Sequence, residues 1–260
     1  MVRLPHAGEG ARLIVEIGRL LYEKSLVVST EGNLSVRLEE NKFLLTPAGR
    51  CKGRLRPDEM VTVDGAGRPL AGRDRPSTEA AAHLAIYRAR PDVAAIVHAH
   101  PPTATGFAVA GVPLAGCVLP EVIVTMGEVP LAPYAAPGGE ALAETAAEAA
   151  HVHDAFLLKN HGAVALGADL WQAFHRMELI ESFARTLLTA RTLGRVEPLA
   201  AEEVARLLGM RPEAPHAAGG CGTCSTCSEN RAGGPPGGED LLVNEVLRRV
   251  ASRLAGERPS

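Results

Sequence analysis

Turn signals recur at short intervals through residues 1–210, and they limit the chain to many short elements. Ser29-Thr30-Glu31-Gly32-Asn33, Thr46-Pro47-Ala48-Gly49, Asp64-Gly65 and Pro101-Pro102 each separate short apolar runs. Between them the apolar period changes. Leu13, Ile14, Ile17, Leu20 and Leu21 mark a surface helix over 12–23, whereas Leu34 to Leu38 alternates as a strand does. Lys42 to Leu45 and Met60 to Val63 continue the strand pattern, and Asp64-Gly65 favours a tight hairpin, so pairing here is expected to be antiparallel.

The second half of this region alternates helix and strand. Pro76-Ser77-Thr78-Glu79 leads an alanine-rich helix over 80–90, with Ser or Thr able to cap it and Glu79 expected in its first turn. Strands are expected over 93–100, 118–124, 156–158 and 164–166, and helices over 103–110, 138–150, 170–193 and 202–208. The whole reads as one α/β domain over 1–210.

Composition agrees. With 46% hydrophobic residues the chain can bury a proper core, and only 3% aromatic residues argue against a base-stacking platform. Its 27 Lys and Arg against 30 Asp and Glu form no basic block, so nucleic acid is not an expected partner. No apolar run is long enough to span a membrane, and the amino-terminal residues lack a signal-peptide core, so a cytoplasmic, membrane-free protein is expected.

Composition shifts after residue 210. Residues 211–239 are Gly- and Pro-rich, a linker that holds Cys221, Cys224 and Cys227. Three cysteines in C-x2-C-x2-C spacing are a candidate second metal or iron–sulfur site if a fourth ligand joins them. Over 240–256, Leu242, Val246, Val250 and Leu254 form a helical stripe widened by Leu247, a docking helix with no core of its own.

The candidate chemistry lies at strand ends. His98 and His100 are two residues apart, so their rings leave one face of a strand, and His161 ends another strand before Gly162. Three such imidazoles can hold a divalent metal, with Glu79 as a fourth ligand or a proton carrier beside it. Each residue alone reads equally well as a satisfied polar group near a turn, and His151-x-His153 has the same spacing at a helix end. Gly32, Asn33, Gly49, Ser77 and Thr78 offer backbone N–H groups and small polar side chains, the chemistry of a phosphate pocket.

Taken in order, Glu31-Gly32-Asn33-Leu34-Ser35-Val36-Arg37, Thr46-Pro47-Ala48-Gly49, Ser77-Thr78-Glu79, Val97-His98-Ala99-His100, Ala132-Pro133-Tyr134-Ala135 and Asn160-His161-Gly162 resemble the class II aldolase/adducin family. Its L-fuculose-phosphate aldolases are the nearest resemblance. It implies a three-layer α/β/α fold with a central, mainly antiparallel sheet, and a homotetramer with sites between subunits. It also implies one zinc ion per subunit on His98, His100 and His161. Glu79 is implied as resting ligand and acid/base, and the five pocket residues as holding the phosphate of a sugar substrate. The expected reaction is cleavage of a deoxyketose 1-phosphate, such as L-fuculose 1-phosphate, to dihydroxyacetone phosphate and lactaldehyde. A pentulose-phosphate 4-epimerase or a methylthioribulose-1-phosphate dehydratase is the alternative within the family, although the epimerases usually carry Asp where this chain has Glu79. A non-catalytic adducin-like role fits less well, since that branch tends to lose the metal histidines.

Three positions depart from the aldolase pattern. Ala48 replaces a hydroxyl residue in the pocket turn, and Gly116-Cys117-Val118 stands where a tyrosine proton donor is expected. Leu207-Leu208-Gly209-Met210 runs into the linker without the carboxy-terminal tyrosine. The tail resembles the encapsulation peptides of bacterial microcompartment cargo enzymes. That resemblance implies a shell-protein partner and a place inside such a compartment.

Overall fold

The computed structural model describes residues 4–211, so the Cys221, Cys224 and Cys227 loop and the helix expected over 240–256 lie outside the described residues. Eight strands form one sheet: β1 (Asn33–Glu39), β2 (Lys42–Leu45), β3 (Val61–Asp64), β4 (Pro69–Ala71), β5 (Ala95–Ala99), β6 (Leu131–Ala132), β7 (Ala155–Leu158) and β8 (Gly162–Gly167). Their order is β4-β3-β2-β1-β5-β8-β7-β6, and each neighbouring pair is antiparallel except β6 with β7. The helices are α1 (Ala7–Glu23), α2 (Ala80–Ala89), α3 (Pro102–Ala110), α4 (Pro120–Thr125), α5 (Glu140–Val152), α6 (Leu170–Leu193) and α7 (Ala201–Leu208).

Strand alternation sorts the apolar residues into two cores, which makes three layers. On one face Leu34, Val36, Val97 and Ala165 pack against α1, α3 and α6. On the other, Phe43, Ile96, Phe156 and Val164 pack against α2 and α5. This is the expected α/β/α arrangement with a mainly antiparallel sheet. No helix among the described residues is long and apolar enough to cross a membrane.

Two local expectations change. Residues 118–124 do not form a strand: Pro120 opens the short helix α4, with Glu121 in its first turn. The run Val122-Ile123-Val124 has strand propensity, but proline at the first helical turn is preorganised for a helix, and burial of Val122 and Ile123 holds them there. Glu79 is the residue just before α2 and does not lie in its first turn, and its side chain makes no capping hydrogen bond. The Glu79 backbone N–H instead donates to Ser77 Oγ at 3.3 Å, which leaves the carboxylate free to face the histidines.

The polar face of β1 runs along α2. Asn33, Ser35 and Arg37 stand two residues apart on the strand, and Glu79, His83 and Tyr87 stand four apart beside and along the helix. Those steps are about 6.8 Å and about 6.0 Å, close enough to stay in register over three rungs. Asn33 donates to Glu79 at 2.7 Å, and Ser35 Oγ lies 2.6 Å from His83 Nδ1 and 2.8 Å from the Tyr87 hydroxyl. Arg37 donates to the Tyr87 carbonyl at 2.8 Å. A buried polar seam therefore leads from the sheet interior to the site.

Candidate metal centre and anion pocket

The three histidines arrive from two neighbouring strands. His98 pairs with Asn33 across β5 and β1 and with Val164 across β5 and β8, and His100 follows just past the end of β5. His161 lies in the turn from β7 to β8, after Asn160 in the left-handed region at φ 57°. Gly162 is required there, because a Cβ would sit 2.5 Å from the Ala99 carbonyl oxygen and 2.5 Å from the His100 ring. Gly32 is likewise required, at φ 70° with a Cβ position 2.7 Å from the His98 carbonyl oxygen.

The rings form a near-threefold cluster, with centroids 4.8–5.0 Å apart and planes inclined by 66–68°. One nitrogen from each lies within 4.8 Å of the others. His98 Nδ1 is 2.9 Å from the Ala163 carbonyl, and donating its hydrogen there orients the ring so that Nε2 faces Glu79 and His100. His98 Nε2 lies 3.2 Å from His100 Nε2. Glu79 completes the group, with Oε2 3.2 Å from His98 Nε2 and Oε1 3.2 Å from His161 Nε2. Three imidazole nitrogens and a carboxylate oxygen form a donor set suited to a divalent transition metal such as zinc.

Charge follows from this crowding. Burial opposes ionisation of Glu79, but the pull of His98 and hydrogen bonds from His161, His98 and Asn33 outweigh it. Its carboxyl is held well below the usual carboxylate range. Burial together with the nearby His98 and His161 drives His100 down to about 3, so its imidazole is neutral at physiological pH. His98 is moved the other way, since the adjacent Glu79 outweighs its burial.

A pocket of about 190 Å³ opens beside the cluster, and Gly32, Asn33, Gly49, Ser77 and Thr78 all line it. Glu79, His100 and His161 share that lining, so the expected metal and phosphate groups meet in one cavity. Ala48 also faces it and brings no hydroxyl. Cys117, at the expected tyrosine position, is instead buried in a small apolar cluster with Ile123, Val204 and Leu207.

One pocket residue carries no signal in the sequence. Lys52 lines the same cavity from the one-turn 3-10 helix Lys52–Arg54, and it is 2% exposed. Its ammonium donates to the carbonyls of Thr30 at 2.7 Å and Arg50 at 2.6 Å. Nothing periodic surrounds it in Cys51-Lys52-Gly53, and a lone lysine after a turn reads as a solvated side chain.

Fold and site together define a class: an α/β/α protein with a strand-end histidine triad beside a cavity lined by Gly32, Asn33, Gly49, Ser77 and Thr78. The sequence profile of the class II aldolase and adducin N-terminal domain matches residues 12–188, and the chain belongs to that family. A 3-oxo-tetronate 4-phosphate decarboxylase of Haemophilus influenzae is 37% identical over 189 residues, which is 68% of this chain and 86% of that one. An L-fuculose phosphate aldolase of Methanocaldococcus jannaschii is 34% identical over 174 residues, 67% of this chain and 93% of that one. Among solved structures, YgbL of Escherichia coli is 33% identical with a TM-score of 0.73, and the alignment covers 78% of this chain and 99% of that one.

Proposed function

We propose that the chain is a zinc-dependent carbon–carbon lyase acting on a phosphorylated keto substrate, with one ion per subunit held by His98, His100 and His161. The observation that carries the reading is the convergence of those three rings and Glu79, with Glu79, His100 and His161 lining the pocket beside them. A divalent ion held by His98, His100 and His161 would supply Lewis-acid polarisation of the substrate ketone, where negative charge develops as the bond breaks. Glu79 is the resting fourth ligand and the group that moves protons, while Gly32, Asn33, Gly49, Ser77 and Thr78 receive the phosphate.

The preferred substrate is a 3-oxo acid phosphate. On loss of carbon dioxide, the electron pair of the carboxylate–carbon bond flows toward the ketone oxygen, and Glu79, a carboxylate at rest, takes a proton from solvent and passes it to that carbon. Relatives that carry this decarboxylase name are 34–37% identical to the chain. Retro-aldol cleavage of L-fuculose 1-phosphate or a similar deoxyketose 1-phosphate is the second reading, favoured by relatives at 32–34% identity. That reaction sends electrons to the same oxygen but also needs a group to take the proton from the leaving aldehyde's hydroxyl. Cys117, where the aldolase tyrosine is expected, is 3% exposed and off the pocket lining, so decarboxylation asks less of this site.

Zinc-loaded protein incubated with 3-oxo-tetronate 4-phosphate, L-fuculose 1-phosphate, rhamnulose 1-phosphate and ribulose phosphates tests both readings. Release of carbon dioxide and dihydroxyacetone phosphate from the first substrate is expected. Lactaldehyde from the 1-phosphates would move the assignment to the aldolase, and turnover of none would reject the lyase reading. The homotetramer belongs to the same proposal and is checked by light scattering.

A further inference from the structure

Lys52 sits between the two glycine turns that frame the anion pocket. Its ammonium holds the Thr30 carbonyl, two residues before Gly32, and the Arg50 carbonyl, one residue after Gly49. These bonds occupy two of its three N–H directions. Among the described residues, no carboxylate lies within ion-pair distance of it. The neighbouring Arg50 side chain turns away from the pocket and pairs outward with Asp74 at 3.1 Å and with Glu59 at 3.8 Å. Among the described residues, Lys52 is thus the only lysine or arginine on the lining of this pocket.

A buried ammonium whose carboxylate neighbours, Glu79 and Glu31, act on it only from beyond ion-pair distance is costly to keep, and an arriving anion offsets that cost further. Burial depresses Lys52 to about 8, so it is still mainly protonated at neutral pH. The groups proposed to receive the phosphate are themselves neutral, being backbone N–H groups, the Asn33 amide and the hydroxyls of Ser77 and Thr78, while Glu31 and Glu79 on the same lining carry negative charge that an incoming anion must face. Ala48 brings no hydroxyl to the turn that precedes Lys52. We infer that Lys52 supplies the positive charge of this anion subsite, with its remaining N–H direction given to the phosphate of the substrate. The assignment of the anion as a substrate phosphate rests on the proposed function, whereas the anion subsite itself rests on Lys52 and the pocket.

Calorimetric titration of the zinc-loaded full chain with inorganic phosphate, in wild type and Lys52→Met, tests the inference. A charged hydrogen bond lost from the subsite should weaken phosphate binding by about tenfold to a hundredfold. Zinc content should not change. Equal affinity in the two proteins would show that Lys52 only struts the two turns, and would overturn the inference. If Lys52→Met does not fold, the wild-type chain still decides, because its four lysines are Lys24, Lys42, Lys52 and Lys159. Phosphate should slow acetylation of Lys52, read by peptide mass spectrometry, and leave the other three unchanged; absence of that protection overturns the inference. Both readouts are independent of turnover. A wild-type chain that binds phosphate through Lys52 but cleaves no phosphosugar would sink the lyase reading alone.

Discussion

Glu79 is held in a way that suits the two roles proposed for it. Its carboxylate touches His98, His161 and Asn33 at once, and it stays ionised in a site where burial alone would neutralise it. Glu79→Gln keeps an oxygen for the Asn33 amide but cannot carry a proton. Bound zinc should remain on the three histidines while turnover falls about 10²–10⁴-fold. Near-normal turnover in that variant would reduce Glu79 to a structural contact. Lys52 gives a prediction on stability. Its folded value of about 8 lies below the ordinary lysine value of 10.5, so between these the unfolded chain binds more protons than the folded one. Stability from this group therefore rises with pH across that window, and the burial cost stands in full below it. In urea titrations without phosphate, wild type should gain on Lys52→Met from pH 8 to 10.5; a constant difference would contradict the burial account. The histidines and Glu79 were legible in the sequence because strand period and turn residues are local signals. Lys52 was not, since its burial arises only when turns far apart in sequence close over it.

At the scale of elements, the turn between β7 and β8 aims His161 while leaving room for His100. Gly162→Ala would put a methyl against the Ala99 carbonyl and the His100 ring, so one of the two must move. The expected result is a fold destabilised by about 1–3 kcal/mol with a clear loss of zinc affinity, read by thermal unfolding and by competition with a chelator. Wild-type zinc affinity in that variant would show that His100 is not a ligand. The same scale explains what the sequence hid. The central strands were readable from alternation, but β4 and β6 have three and two residues, too few to show a period. Over 118–124 the strand propensity of Val122, Ile123 and Val124 pointed one way and Pro120 the other. Packing of Val122 and Ile123 settled the matter in favour of helix.

At the scale of the whole molecule, both principal cores and the candidate site are built by the described residues. Their residues run from Ala11 to Leu187, the small apolar cluster extends to Leu207, and the family match ends at residue 188. Residues 240–256 carry the stripe Leu242, Val246, Val250 and Leu254 beyond a Gly/Pro linker, a pattern with no use in a purely solvated tail. Such a helix should act as a separable docking element. Truncation after Arg231 is expected to leave zinc content, oligomeric state and turnover unchanged while abolishing association with a microcompartment shell protein. Fusion of residues 233–260 to an unrelated fluorescent protein should transfer that association, scored by co-sedimentation with assembled shells. If the truncated chain dissociates or loses its zinc, the helix packs on the enzyme's own assembly. If the truncated and full-length chains behave alike toward shells, the tail is not the docking element, and the compartment reading falls with it.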